Sequence, residues 1–571
     1  MLLIEKEIAG IFNQMVKNSF EGVEGLREVD IQPATNDKFG DFQTNFAMMN
    51  SKIIGNNPRA IAAKLLEGFF ENEIIEKLEI AGPGFINIYL KEEYLGKRIN
   101  TMTTEKYDFS FLDTHGDVII DYSSPNIAKR MHIGHLRSTI IGDSIKRIYN
   151  HLGYNTVADN HIGDWGTQFG KLIIGYRNWL DQDAYKAAPI DELERVYVKF
   201  AVESEHNEEL NDQARLELKK LHEGDEENYK LWKEFIEVSL NEYNKVYKRL
   251  DIEFDTYFGE SHYHDIMPGV IEELKEKKIA VESEGAQVVF FPEETKLNPC
   301  LVQKGDGAYL YATSDIATVK FRKENYDVNK LVYVTDERQQ DHFKQFFAIT
   351  EMMDWDIEKK HIWFGIMRFA DGIFSSRKGN VIKLEELLDE AKRRALEVVE
   401  EKNPTLSAEE KEVIAEVVGT GAVKYADLSQ NRQSAIIFEW DKILSFEGNT
   451  GPYLQYTYAR IQSILRKGAE ASKNLDGNAK VKFIEKAEKA LALHMNQFPA
   501  VVLKASTTYK PNLITDYLFE LAKKFNTFYN ACPILNQEDE ILYSRLLIAD
   551  RTAKTLKEGL GLLGMKTVDR M

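Results

Sequence analysis

Cysteine is nearly absent: Cys300 and Cys532 are the two in 571 residues. They are too few and too far apart in sequence for a disulfide framework or a cysteine-based zinc site, and they suit a reducing, cytoplasmic location. Long apolar runs are missing too. No stretch reaches the roughly 18 apolar residues that a membrane-spanning helix needs. The opening MLLIEKEIAGIF carries Glu5, Lys6 and Glu7 where a secretory signal has its apolar stretch, so no signal peptide is expected. Neither internal repeats nor low-complexity tracts occur, which argues against solenoids and disordered arrays. Excess positive charge is lacking as well. A net charge of −19 argues against a general nucleic-acid binder but leaves a selective one open, because phosphate binding needs local basic surface, not a basic total. Residues 451–571 hold 18 Lys and Arg against 12 Asp and Glu, a surplus of +6, so the first 450 residues carry −25. An ordinary solvated helical surface explains that surplus equally well.

The chain has 43% hydrophobic residues, enough for about three or four ordinary domain cores at its length. Residues 1 to about 110 read as α+β. A helix is expected after Pro58, a turn at Ala81-Gly82-Pro83-Gly84, and a strand over Phe85–Leu90. Val118-Ile119-Ile120 reads as a buried strand and residues 123–126 as a loop. Leu136, Ile140, Ile141, Ile145, Ile148 and Leu152 then recur at helical spacing up to Gly153, before a short strand at Thr156-Val157-Ala158. Strand, loop, helix, strand opens a parallel nucleotide-binding sheet of Rossmann type. A charged helical stretch from about 172 to 250 interrupts it. The sheet resumes at Lys330–Val334, with a helix near Gln340–Met353 and a strand over His361–Met367. Beyond about 385 the pattern is helical, and Leu454, Tyr458, Ile461 and Leu465 form the stripe of a helix begun by Thr450-Gly451-Pro452.

The string with most chemistry in it is SSPNIAKRMHIGH, residues 123–135. It sets His132 and His135 at a helix N-terminus, where free N–H groups and partial positive charge suit a triphosphate. Imidazoles there can donate to phosphoryl oxygens as charge builds, and Gly134 permits close approach of a nucleotide to the backbone. A surface helix start with two histidines, or a metal pair, is the plainer alternative. No third ligand cluster is nearby in sequence, and no protein-held metal is expected. His262-Tyr263-His264-Asp265 is better read as a turn than as a metal site.

Taken with its continuation, HLRSTIIGD, the string resembles the first signature of class I aminoacyl-tRNA synthetases, in its arginyl branch. The resemblance continues in Asn160–Gly170 (NHIGDWGTQFG), in Gly259-Glu260-Ser261, in the Tyr311/Asp315 pair and in the tail LGLLGMKTVDRM. It runs from about residue 35 to Met571. It implies an enzyme that activates arginine with ATP, accompanied by Mg2+ held mostly by the phosphates, and loads the arginine onto tRNA. The implied architecture is multidomain α/β. An N-terminal α+β domain that touches the tRNA elbow spans 1–112. A Rossmann-type catalytic domain spans 113–385, with a helical insertion at about 172–300. A helical connection that contacts the tRNA stem fills 386–449, and an all-α anticodon-binding domain fills 450–571. A monomer is expected.

Arginine recognition also has a direct physical logic. A guanidinium is planar, permanently charged and carries five donors, so it calls for a carboxylate in two-point geometry. Tyr311 and Asp315 stand four apart, on one face if that turn is helical. An Asp after Thr-Ser is otherwise a helix N-cap. The resemblance gives Tyr311 and Asp315 the guanidinium, assisted by Glu260. It gives Ser124, Asn126, His135 and Gln339 the α-amino and α-carboxyl groups. ATP falls to His132, Gly134 and His135, and to the place of the second signature loop, where Phe374, Ser375, Arg377 and Lys378 stand. Both lysines of that second signature are missing here. Lys129 is the expected catalytic replacement, with Arg377 and Lys378 as alternatives. Tyr453, Tyr456, Tyr458, Arg460, Arg466 and Lys467 begin the anticodon-binding region, although Tyr458 also fits a core position. Two other readings remain at this stage: a different enzyme with the same first signature, and a catalytically silent tRNA-binding protein. A cysteinyl enzyme would need zinc-ligand cysteines, and intact His132, His135, Tyr311 and Asp315 count against a silent protein.

Overall fold

The computed structural model of the chain describes residues 1–102, 105–369, 383–468 and 480–571. At the N-terminus, Ile4, Ile8, Phe12 and Met15 line one face of helix α1 (Ile4–Ser19) and are buried. That face belongs to the same apolar core as a four-stranded sheet of β1 (Gln32–Pro33), β2 (Phe42–Thr44), β3 (Ile75–Ala81) and β4 (Phe85–Leu90), in the order β1-β2-β4-β3. Helix α2 (Pro58–Glu67) starts at its proline, behind an Asn57 cap. Helix α3 (Glu92–Thr101) leads out of this unit.

The central sheet contains β5 (Asp117–Asp121), β6 (Asn155–Asp159), β10 (Val328–Tyr333) and β11 (Glu358–His361) in the order β11-β10-β5-β6, all parallel. From β5 the chain runs outward through helix α4 (Ile133–His151) to β6, and from β10 outward the other way through helix α7 (Gln340–Met352) to β11. The order therefore reverses between β5 and β10, where open α/β sheets bind ligands beyond the strands' carboxyl ends. Asp121 and Asp159 end β5 and β6, and both bond Nη2 of Arg322, at 2.7 and 2.6 Å. Arg322 lies on helix α6 (Tyr311–Asn325), so this buried triad fastens that helix across the sheet ends.

Between β6 and β10 the helices Gln168–Trp179, Pro189–Glu203, Glu208–His222 and α5 (Glu226–Arg249) occupy the stretch read from sequence as a helical insertion. It is not helical up to residue 300. A three-stranded antiparallel sheet, β7 (Ala280–Ser283), β8 (Ala286–Val289) and β9 (Cys300–Gln303), fills its end. The cause is local: Glu284 and Gly285 both take positive φ, 53° and 80°, the geometry of a two-residue hairpin turn. His361–Met367, read from sequence as one strand, is not one. β11 ends at His361. The chain then leaves the sheet edge, Gly365 N–H bonding Arg432 O at 3.0 Å, and pairs as β12 (Met367–Phe369) with β13 (Ile436–Phe438).

Past residue 384 helices dominate, including α8 (Ala408–Leu428), α9 (Gly451–Lys467) and α10 (Asp539–Leu562). Thr450 Oγ1 caps α9, and Leu454, Tyr458 and Ile461 are buried as the stripe predicts. Ile464 takes the fully buried place in the last turn, and Leu465 is half-buried. Buried ion pairs and charged hydrogen bonds join the parts. Arg137 of α4 meets Asp427 of α8 at 2.9 Å, each side chain 1% exposed. Arg551 of α10 holds the Ile99 and Asn100 carbonyls of α3, both at 3.1 Å. Among the described residues no helix is long and apolar enough to cross a membrane.

Candidate active site

The loop after β5 is built under strain. Ser123, Ser124 and Ala128 have positive φ (74°, 48° and 62°), unusual for residues with a Cβ, and their surroundings hold them there. Ser123 N–H bonds Ser138 Oγ at 2.9 Å, Ser124 N–H bonds Asn160 Oδ1 at 3.1 Å, and Ala128 N–H bonds Ser239 Oγ at 2.9 Å. Three separate elements thus fix one short loop. Asn126 is exposed, and its segment pairs with residue 163: Ile127 N–H bonds Gly163 O, and Gly163 N–H bonds Pro125 O, both at 3.2 Å. A Cβ at position 163 would stand 2.2 Å from Asn126 Oδ1, so any larger residue there must displace the Asn126 side chain. Tyr243 O–H reaches the carbonyls of Asn126 (2.7 Å) and Lys129 (2.8 Å). The Lys129 ammonium lies 4.8 Å from the centre of the Tyr197 ring, on the insertion helix Pro189–Glu203.

His132 and His135 cap α4 mutually. Gly134 N–H donates to His132 Nδ1 at 3.0 Å, and His132 N–H donates to His135 Nδ1 at 3.1 Å. Because each Nδ1 accepts, each neutral ring carries its proton on Nε2. Their rings lie 4.0 Å apart. Burial pushes the His135 imidazolium down to about 3, reinforced by His132, and burial also lowers His132, with Lys129 and Arg338 adding to it. Two neutral Nε2–H donors therefore stand at a helix N-terminus beside the cations Lys129 and Arg338. Sequence reading did not single out Arg338. A Cβ on Gly134 would come within 2.7 Å of His132 Cε1, so the glycine makes room for the capping ring as well as for any ligand.

Tyr311 and Asp315 begin α6 and share a face. Leu310 is the N-cap residue, so the capping alternative for Asp315 fails. Tyr311 is 70% exposed. Asp315 is half-buried and bonded through Oδ2 to His342 Nε2 of α7. Nearby, burial pushes the Glu260 carboxyl up to about 7, with His161 opposing and Asp164 and Asp315 adding to the rise. Asp164 is itself buried, accepting from Ser261 N (2.8 Å) and Ser261 Oγ (2.6 Å). Among the described residues no Lys or Arg forms an ion pair with Asp164, Glu260 or Asp315. Histidine is the nearest approach to a counter-ion, and carboxyls gathered without an Arg or Lys suit a ligand that brings its own positive charge.

Of the other expected site residues, Ser124 is half-buried and donates from Oγ to Asp121 Oδ1 at 3.2 Å. Gln339 is exposed at the start of α7, beyond the carboxyl end of β10. Phe374, Ser375, Arg377 and Lys378 lie outside the described residues. His262 stacks on Phe258 at 4.3 Å, Tyr263 is buried, and His264 Nδ1 accepts from Trp165 Nε1 at 3.1 Å, so this stretch is an aromatic cluster. Asp121, Asp159 and His161 are close enough to hold a metal ion, but Arg322 already occupies both carboxylates. Sequence reading missed His342 and a role for Asp164. Asp164 stood in a quoted string, whereas no spacing rule joins Asp315 to a histidine 27 residues away.

Comparison with known proteins identifies the family. Residues 100–440 match the catalytic-domain model of the class I (R) tRNA synthetases, which gives the class. Residues 4–90 match the arginyl-tRNA synthetase N-terminal domain, and residues 454–571 match the DALR anticodon-binding domain. A curated arginine–tRNA ligase from Fusobacterium nucleatum is 65% identical over all 571 residues, covering 100% of both chains. One from Chromobacterium violaceum is 43% identical over 95% of this chain and 96% of its own. Two solved arginyl-tRNA synthetases superimpose with a TM-score of 0.84. That of Plasmodium falciparum is 30% identical and covers 100% of both chains; that of Thermus thermophilus is 25% identical and covers 99% of this chain and 100% of its own. The chain belongs to the arginyl-tRNA synthetases.

Proposed function

We propose that Asp315, Tyr311 and Glu260 hold the guanidinium of arginine, while Ser124, Asn126, Gln339 and His135 hold its α-amino and α-carboxyl groups. The enzyme is an arginine–tRNA ligase. It uses ATP to convert arginine to arginyl-adenylate and pyrophosphate, then passes arginine to the 3′-terminal adenosine of tRNA. In the first step the arginine carboxylate attacks the α-phosphorus and pyrophosphate leaves. The Nε2–H groups of His132 and His135 donate to phosphoryl oxygens as charge develops, Gly134 lets the nucleotide approach, and Lys129 neutralises the departing pyrophosphate. Phe374, Ser375, Arg377 and Lys378 complete the ATP site. Mg2+ enters with ATP and is held by the phosphates; the charged groups that act on His132 are cations, which suits a triphosphate rather than a bare metal ion.

The observation that carries the arginine assignment is the set of carboxylates at Asp164, Glu260 and Asp315 without an Arg or Lys ion-pair partner among the described residues. We further infer four regions at about 1–112, 113–385, 386–449 and 450–571. In this scheme the first region contacts the tRNA elbow, the third a tRNA stem and the last the anticodon. A monomer in the cytoplasm is the expected state; both cysteines are buried and free, in keeping with a reducing compartment. ATP–pyrophosphate exchange with each of the twenty amino acids and with citrulline, with and without tRNA, tests the assignment. Arginine alone should support exchange, and equal exchange with lysine or citrulline would remove the guanidinium site.

A further inference from the structure

The group that meets the Asp315 carboxylate comes from a different helix. His342, in the first turn of α7, turns Nε2 toward Asp315 Oδ2. Its ring is braced by Phe346 and Phe343, with centroids at 5.4 and 5.7 Å. Asp315 is the charged group that acts on His342, favouring its proton against the opposing effect of burial. The other ionisable groups around it have partners elsewhere. His361 on β11 is held by Thr335 Oγ1 at 2.8 Å, stacked on Phe343 at 4.1 Å, and pushed down to about 4, chiefly by burial. Asp341 pairs with Lys344 on the exposed side of α7.

A carboxylate offers about four lone-pair positions, and a guanidinium fork takes two of them, one on each oxygen. The terminal torsion of aspartate is broad, so an unsupported carboxylate samples many planes. A donor on Oδ2 stops that rotation and still leaves Oδ1 and the second lone pair of Oδ2 open. We propose that His342 is a positioning residue for the amino-acid site, orienting the Asp315 carboxylate for two-point pairing with a guanidinium-bearing substrate. This rests on the assignment of Asp315 to arginine made above.

The test compares His342→Leu, His342→Gln, Asp315→Asn and the double variant Asp315→Asn/His342→Leu in pyrophosphate exchange at one pH. In His342→Leu the KM for arginine should rise about tenfold, the scale of one lost hydrogen bond to a charged group, while kcat and the KM for ATP stay near wild type. His342→Gln, which keeps an N–H donor, should recover most of the affinity. If His342 acts through Asp315, the double variant binds arginine no more weakly than Asp315→Asn alone. An unchanged arginine KM in His342→Leu, with Asp315→Asn impaired, overturns the positioning role. An unchanged KM in Asp315→Asn overturns the arginine assignment instead. Parallel losses in kcat and both KM values, with a lowered Tm and no rescue by glutamine, reduce His342 to a structural residue.

Discussion

His132 and His135 each give Nδ1 to a backbone amide, and that local fact decides which ring nitrogen is left for a ligand. Alanine at either position removes a capping acceptor, costing about 1 kcal/mol, and the proposed phosphoryl donor, which should cost about a hundredfold in activation rate. His132→Asn separates the two effects: it should restore Tm, because asparagine caps well, without restoring the rate. Differential scanning fluorimetry beside pyrophosphate exchange reads both. The Glu260 carboxyl, pushed up to about 7, gives a pH prediction. Its folded-state affinity for a proton exceeds that of the unfolded chain, so it disfavours the ligand-free fold as pH rises from the ordinary carboxylate range through about 7. In the proposed site arginine needs the ionised form. The rise in Tm produced by arginine should therefore grow as pH climbs through about 7, and Glu260→Gln should flatten that growth.

At the scale of elements, the insertion helix Pro189–Glu203 supports the first signature loop twice. Asp191 takes the Arg130 fork at 2.5 and 2.7 Å, and Tyr197 supports Lys129. Arg130 also bonds Glu385 at 2.7 Å, Lys383 joins Asp191 at 3.2 Å, and Leu384 N–H bonds Met131 O at 2.9 Å. The loop bearing Lys129 is thus pinned on both sides. A residue held so close to the histidine cap is well placed to act on departing pyrophosphate, where one cation contributes several kcal/mol in a water-poor site. Lys129→Ala should damage activation far more than Lys378→Ala, and transfer from preformed arginyl-adenylate should suffer much less in both. Single-turnover kinetics of the two steps checks this, and the reverse ranking would give the charge to the second loop. None of these supports was legible in the sequence, because Asp191, Tyr197 and Glu385 are joined to the loop by folding alone.

Across the whole molecule, the histidine-bearing helix is tied to the helical half of the chain. Arg137 pairs with Asp427 and bonds the carbonyls of Gly365 and Arg432, and Ser144 Oγ bonds Leu562 O at 3.0 Å. Lys424 reaches the carbonyls of Leu250 and Gly564, fastening the end of the insertion and the C-terminal tail to α8. Arg137→Met should cost roughly 3–5 kcal/mol, since it leaves the buried Asp427 unpaired, whereas Arg137→Met/Asp427→Leu should regain much of that loss. Urea unfolding of the single and double variants would show it, and equal losses would mean that the arginine's carbonyl bonds matter more than the ion pair. By itself the sequence determined what periodicity and local caps set: the β5–α4–β6 order, His132 and His135 at the start of α4, the Thr450 start of α9 and the shared face of Tyr311 and Asp315. Such features follow from backbone periodicity and capping, which are local. The tertiary structure alone decided that β12 leaves the main sheet for β13, that Asp164 and Glu260 lose water beside Asp315, and that His342 meets that carboxylate from another helix. Burial and long-range pairing depend on which surfaces the packed chain removes from water, and no local spacing encodes that.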